Sequence, residues 1–240
     1  MEVAFGVIFQ LAHKIRYLSR LQNTMLPTDP TDPANSPALI HLSQDPIMGQ
    51  IIAETTSLKS VNHWEDDVYL ALLESIISQQ ISTKAANAIF RRFRLLFSET
   101  AEVEGYPDPA RLLAKTTGDL RSAGLSFQKI SYLQSVATFT LENRMDRPFF
   151  DVLTDEEIVQ YLIPIKGVGR WTVEMLLMFV LDRPDVFPVD DLVIQQKIVR
   201  AYGLTETGSP LLKQLYALAE AWRPHRTLAC RHLWRWKPIN

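Results

Sequence analysis

The stretch Leu162–Ile198, LIPIKGVGRWTVEMLLMFVLDRPDVFPVDDLVIQQKI, decides how the rest of the chain is read. It holds the only glycine pair at G-x-G spacing, Gly167 and Gly169, and an acidic pair, Asp190 and Asp191, shortly after a proline. Just upstream, Thr154 and Glu157 form a capping-box signature, so Asp155 to Leu162 reads as a short helix that Pro164 stops. A tight turn must follow. Gly167 and Gly169 allow backbone angles that side chains forbid and admit another backbone closely. A second helix is predicted from about Val168, with Trp171, Met175, Met178 and Phe179 at helical spacing. The N–H groups of Gly167, Val168 and Gly169 are then expected to point outward together, a place for a phosphate oxygen. The same spacing suits a simple αα-hairpin whose glycines only permit close packing. Downstream, the second helix fades at Asp182, Arg183 to Val189 is a loop with two prolines, and Asp190 and Asp191 open a helix from Leu192 to Tyr202. Such a pair is ordinarily a cap plus a charge favoured by the helix dipole. The sharper reading makes one of the two a catalytic carboxylate.

At 240 residues the chain is long enough for one or two domains with a sizeable core. Cys230 is its one cysteine, which excludes a disulfide framework and a four-cysteine zinc or iron–sulfur site within the chain. That cysteine usage is compatible with a reducing compartment. The net charge of −2 does not advertise a nucleic-acid binder, but the basic residues are grouped. After Glu220 no acidic side chain follows, whereas Arg223, Arg226, Arg231, Arg235 and Lys237 do, and Lys84, Arg91, Arg92 and Arg94 form a second group. Each group reads as a solvated face or as a DNA footprint.

From the start of the chain, Val3 to Ala12 is mostly apolar with Lys14, Arg16 and Arg20 after it, the reverse of a secretory signal, and it is too short to span a bilayer. It reads as an amphipathic helix or a leader, with Met25 as an alternative start. Leu26 to Pro37 reads as an extended proline-rich linker. A weak helical pattern then runs from Ala38 to Leu58, and Asp66 or Asp67 caps a strong helix with Val68, Leu72, Leu73, Ile76 and Ile77 on its apolar stripe. Gln79 and Gln80 break that helix, and Ser82 caps the next, with Ala85, Ala86, Ile89 and Phe93 facing inward. Short helices are expected over Pro107 to Ala114 and Thr117 to Ala123, the second capped by Thr117. Ser126 caps a helix through Glu142 with Ile130, Leu133, Val136, Ala137 and Thr140 inside. Ser209 and Pro210 start a helix by the cap-then-proline rule that runs to about Trp222. No stretch alternates with period two for long, so the chain is expected to be all-α. His225 and His232 are too poorly supported by nearby acidic or cysteine ligands to argue for a metal.

The motif P-x-K-G-V-G-R-W-T followed by F-P-V-D-D-L-V-I-Q resembles the helix-hairpin-helix DNA glycosylases, and among them the alkylated-base branch, DNA-3-methyladenine glycosylase II. The segment around Gln79 and Gln80 is similar to that family's I-x-x-Q-Q-x-S motif, Leu120–Leu133 to another family stretch, and W-R-P-H-R-T-L-A-C-R-H-L-W-R-W to its C-terminal signature. The resemblance covers roughly residues 38 to 236, with the motifs in the family's order. It implies two helical lobes with a cleft between them: a middle lobe of residues 67–183, a terminal lobe of 38–66 plus 184–240, and a leader and linker over 1–37. It implies a monofunctional glycosylase acting on alkylated purines such as 3-methyladenine and 7-methylguanine in double-stranded DNA, as a monomer away from membranes. The compartment implied is the cytoplasm of a bacterium or the nucleus of a eukaryote.

Residue by residue, the family's D-x-x-I aspartate falls on Asp191, with Ile194 three positions on, which leaves Asp190 as the helix cap. The base pocket falls on Trp171, Met175, Leu192 and Trp234, with Met175 and Leu192 at positions where some relatives have aromatics. DNA contacts fall on Gln79, Gln80, Lys166, Gly167, Val168, Gly169, Arg170 and Thr172, Gln80 standing where the family fills the gap left by the extruded nucleotide. A structural monovalent cation, K+ or Na+, is implied at the carbonyls of Ile163, Ile165 and Val168, and no iron–sulfur cluster is expected. Strand-cutting relatives that excise oxidised purines place a lysine nucleophile where Trp171 stands, so no Schiff base forms there. The alternatives are an oxidised-purine glycosylase/lyase and a non-enzymatic DNA-binding protein that uses only the hairpin.

Overall fold

The computed structural model describes residues 36–55, 67–99 and 104–237. The leader over residues 3–12, Met25, Asp66 and the linker up to residue 35 lie outside the described residues. In chain order the helices are α1 (Pro37–Leu42), α2 (Pro46–Glu54), α3 (Val68–Ser78), α4 (Thr83–Leu95), α5 (Pro109–Ala114), α6 (Thr117–Ser122), α7 (Phe127–Glu142), α8 (Arg147–Asp151), α9 (Asp155–Leu162), α10 (Arg170–Phe179), α11 (Leu192–Tyr202), α12 (Gly208–Glu220) and α13 (Arg226–Arg235). No strand occurs among the described residues, and the fold is all-α. None of the described helices is long and apolar enough to cross a membrane. The chain divides into two compact units, Asn62–Leu181 and the combination of Met1–Val61 with Asp182–Asn240.

The Asn62–Leu181 unit is organised around α3. Asp67 caps this helix by accepting from the Leu70 N–H at 2.8 Å. Every residue of α3 except Leu70 is buried, so the helix is enclosed all round rather than along the stripe its periodicity suggests. It packs against α4, α7 and α10, while α5 and α6 cover other parts of α7. Ser82 caps α4 as expected, accepting from Ala85 N. The inner face of α4 is Ala86, Phe90 and Phe93, shifted one position from the expected Ala85 and Ile89. Ser126 caps α7, whose Ile130, Leu133, Val136 and Ala137 are buried as expected. The cap of α6 is Thr116 rather than Thr117: its hydroxyl accepts from Asp119 N while the Asp119 carboxylate accepts from Thr116 N. Helix α8, capped by Asp146 with proline in its first turn, was not expected from the pattern.

In the other unit, the described residues of the weak helical pattern, 38–55, form two helices. Pro46 has no N–H to continue α1, and Asp45 caps α2 by accepting from Ile47 N and Met48 N. Helix α2 and helix α11 both pack against α13, with Trp222 fully buried among the core side chains. The Asp45 carboxylate also accepts from Tyr202 Oη at 2.5 Å and Trp222 Nε1 at 3.3 Å, tying the start of α2 to the end of α11. Helix α12 begins at Gly208 after Thr207, so Ser209 lies inside the helix instead of capping it.

Candidate active site

The hairpin is built from α9, residues 163–169 and α10. Thr154 and Glu157 form the expected capping box at the start of α9, with Glu157 Oε2 accepting from Thr154 N at 2.7 Å. The turn is held by Ile163 N to Val159 O, Ile165 N to Leu162 O and Val168 N to Ile165 O, each 3.0 or 3.1 Å. The Val168 N–H is therefore spent inside the turn, contrary to the expectation that it points outward. The N–H groups of Gly167 and Gly169 have no hydrogen-bond partner among the described residues. Helix α10 starts at Arg170, two residues later than the pattern suggests, with Gly169 as its uncapped N-terminal residue.

The two glycines do different work. Gly167 has φ +91°, and a Cβ there would sit 2.4 Å from Cδ2 of Tyr132. Gly169 has φ −108°, which any residue adopts, and a Cβ there would meet nothing within 4 Å. Its backbone needs no glycine within the chain, which corrects the expectation of forbidden angles at both. What Gly169 leaves is open space where a Cβ would stand, at the start of a helix.

Helix α7 supports the hairpin from below. Lys166 N donates to Ser135 Oγ at 3.1 Å, Lys166 Nζ to Ser131 Oγ at 3.3 Å, and Tyr132 lies against Gly167. Gln79, the residue that ends α3, donates from Nε2 to Gly167 O at 3.1 Å. Gln80 beside it is exposed with φ 59°, a left-handed backbone that non-glycine residues adopt at a cost. Gln79 of the motif thus meets the hairpin. The Tyr132 and serine supports were missed, because nothing local in the sequence marks a contact between α7 and a turn about thirty residues on.

Among the other expected DNA contacts, Arg170 is exposed and its guanidinium donates to Glu156 at 2.7 and 2.9 Å, which with Gln160 holds the Glu156 carboxyl below the usual range. An exposed pair of this kind exchanges readily for another anion. Thr172 is only 5 % exposed. Of the expected pocket residues in this unit, Trp171 is half-buried and Met175 is buried on α10. The carbonyls of Ile163, Ile165 and Val168 all belong to the hairpin; that of Ile165 accepts the Val168 N–H.

In the other unit, Asp191 and not Asp190 caps α11. Its Oδ1 accepts from Val193 N at 2.9 Å and Ile194 N at 3.0 Å, and Trp234 Nε1 on α13 donates to the same oxygen at 3.4 Å. Asp191 is 0 % exposed, whereas Asp190 is exposed. The expectation that Asp190 is the cap is therefore corrected: the cap is Asp191, because its carboxylate and not that of Asp190 receives the first-turn N–H groups. Leu192, half-buried, and Trp234, buried, flank the carboxylate. Trp222 is a core residue.

Several of the grouped basic residues have partners within the chain. Arg223 and Arg226 both pair with Asp185, at 2.5 and 2.8 Å, and Arg226 Nη2 also donates to Asp185 O. Arg92 donates to Ala123 O, and Arg94 donates to Gly105 O and pairs with Glu104. These cations brace loops. Lys84 and Arg91 are exposed on α4.

A family model described as HhH-GPD superfamily base excision DNA repair protein matches residues 73–224. DNA-3-methyladenine glycosylase 1 of Schizosaccharomyces pombe is 36% identical over 170 residues, which cover 70% of this chain and 71% of that protein. The solved structure of the same organism's 3-methyladenine DNA glycosylase, Mag1, in complex with abasic DNA is similar with a TM-score of 0.68 at 32% identity, covering 83% of this chain and 95% of that one. A DNA-3-methyladenine glycosidase structure from Bacillus halodurans is similar with a TM-score of 0.71 at 32% identity, covering 84% and 89%. The chain belongs to the HhH-GPD superfamily of base excision DNA repair proteins and to the alkylated-base branch of the helix-hairpin-helix DNA glycosylases.

Proposed function

We propose that this protein is a monofunctional DNA glycosylase that extrudes alkylated purines from double-stranded DNA and hydrolyses their N-glycosidic bond, leaving an abasic site. The observation that carries the reading is the Asp191 carboxylate, fully buried and held through one oxygen by two backbone N–H groups and an indole. Three donors on one atom fix its orientation before any substrate arrives, the pre-organisation that stabilises charge developing in a transition state.

Alkylation of a purine ring nitrogen makes the base cationic, so it departs with the bonding electrons as a neutral molecule. The sugar left behind has oxocarbenium character at C1′. Asp191 stabilises that cation and orients the water whose oxygen bonds to C1′ as its proton leaves. Trp171 offers the aromatic face that suits a cationic base, and Met175 is the other candidate base contact of its unit; in the unit of Asp191 the candidates are Leu192 and Trp234. Extrusion needs a grip on the backbone and a filler for the vacated stack. The grip falls to the N–H groups of Gly167 and Gly169 with Lys166 and Arg170, and the filler to Gln80. Trp171 stands where a lyase needs an amine, so water is the nucleophile. The hairpin carbonyls of Ile163, Ile165 and Val168 are neutral oxygens, and that of Ile165 keeps a second lone pair after accepting Val168 N–H. That donor set fits K+ or Na+, which would add positive charge beside a bound phosphate. The chain acts as a monomer.

The test is release of methylated purines from methylated duplex DNA by the protein and by Asp191→Asn and Asp190→Asn. Asparagine is a good N-cap, so Asp191→Asn keeps the fold while removing the charge. Loss of release in Asp191→Asn alone, with duplex binding retained, is expected. Binding without release by the native protein would instead leave a DNA-binding module, and a borohydride-trapped adduct would indicate a lyase.

A further inference from the structure

We infer that Lys129 is a positioning residue for base extrusion: its ammonium donates to Ile77 O at 2.7 Å and so fixes the end of α3 from which Gln79 and Gln80 project. The inference rests on the reading of Gln80 as the residue that fills the vacated stack.

The geometry is specific. Ile77 is the penultimate residue of α3, and its carbonyl belongs to the last turn, where helix carbonyls lack intrahelical donors and the dipole is negative. Lys129 reaches it from the first turn of α7, across 52 residues of sequence. It is half-buried, and burial brings its pKa down to about 8, while the Ile77 carbonyl gives the desolvated amine an acceptor at 2.7 Å. One turn along the same helix, Tyr132 lies against Gly167, and Ser131 and Ser135 hold Lys166. Gln79 closes the circuit by donating to Gly167 O. The polar face of α7 therefore sets both the phosphate-gripping hairpin and the filling loop in one frame.

The backbone state of Gln80 explains why a frame is needed. At φ 59° it occupies a region that persists only when its surroundings over-determine it. Ser82 fixes the loop on its far side by capping α4. On its near side the loop is fixed by Lys129 at Ile77 and by the Gln79 amide. Without the ammonium, the last carbonyls of α3 return to water, the loop relaxes toward ordinary φ, and Gln80 no longer stands poised.

The experiment compares the full chain with Lys129→Met, which keeps the aliphatic stem, and Lys129→Arg, which keeps a cationic donor. Measured on each are melting temperature, affinity for undamaged duplex, single-turnover release of a methylated purine, and fluorescence of 2-aminopurine beside the lesion as a signal of unstacking. Lys129→Met is expected to melt close to the parent and bind undamaged duplex within about twofold, yet to release base about tenfold more slowly, with a reduced unstacking amplitude. Lys129→Arg should restore most of the rate. Combining Lys129→Met with Gln80→Ala should cost little more than Gln80→Ala alone, since both act through the same side chain. Parent-like release by folded Lys129→Met, additive losses in the double variant, or an equal fall in undamaged-duplex affinity would each overturn the inference. If the native protein itself released no methylated base, the proposed function would fall and the inference with it. Native release that is indifferent to Lys129 overturns the inference alone.

Discussion

His232 ties the stability of the α13 unit to pH. It is 4 % exposed, and its Nδ1 lies 2.7 Å from Thr55 Oγ1. The Thr55 hydroxyl spends its single hydrogen on Ile51 O at 2.6 Å, so the imidazole is assigned as the Nδ1–H donor to the hydroxyl oxygen. Protonation must then add a charge in a buried position. Burial, with the Arg231 and Arg235 guanidinium groups as further causes, lowers the His232 pKa from 6.5 to about 4. In the unfolded chain the ring titrates near its ordinary value, so between these two pKa values the unfolded state binds more protons. Stability from this group is fully present above about pH 6.5 and is lost as pH falls toward about 4. Integrated from about pH 7.5 to about pH 5, the loss is about 2 kcal/mol from His232 alone. The assay is urea denaturation of the parent and of His232→Gln at both pH values. The parent should lose about 2 kcal/mol more than the variant on acidification, and the ring C2 proton should not titrate near neutrality. Equal losses in the two proteins, or an imidazole titrating near 6.5, would refute the reasoning.

The hairpin glycines should separate stability from binding. Gly167→Ala forces a Cβ into Tyr132 at positive φ and is expected to cost about 1–3 kcal/mol of stability by thermal melting. Gly169→Ala, with open space and ordinary φ, should melt like the parent, and on the proposed grip of the hairpin on a phosphate it should weaken affinity for duplex DNA. Trp234→Phe removes the indole donor to Asp191 Oδ1 and should slow single-turnover release about tenfold, with undamaged-duplex affinity unchanged. Arg226→Gln, which strips the part-buried Asp185 of a partner, should lower the melting temperature and leave the salt slope of DNA binding unchanged. Lys166→Gln should do the opposite, reducing that slope by about one unit.

What could be read from the sequence was what is local. The Thr154–Glu157 box and the Ser82 and Ser126 caps are decided within a few residues, and each appears in the structure as expected. Adjacent candidates of the same chemistry were not separable: Thr116 against Thr117 and Asp190 against Asp191 differ by one position, and only the hydrogen bonds choose. Helix α8 escaped because so short a segment has no periodicity to detect. The ion pairs of Arg223 and Arg226 were not legible because their partner Asp185 lies 38 and 41 residues away. The supports from α7 to the hairpin are of the same kind, set by tertiary packing.

Asp191 begins a helix with the same oxygen that receives the indole of Trp234. The aim of that carboxylate is therefore only as steady as the first turn of α11. When the turn frays, Val193 N and Ile194 N let go together and the carboxylate swings away. Amide exchange at Val193 and Ile194 consequently reads, in the absence of any DNA, the fraction of time the group is out of alignment.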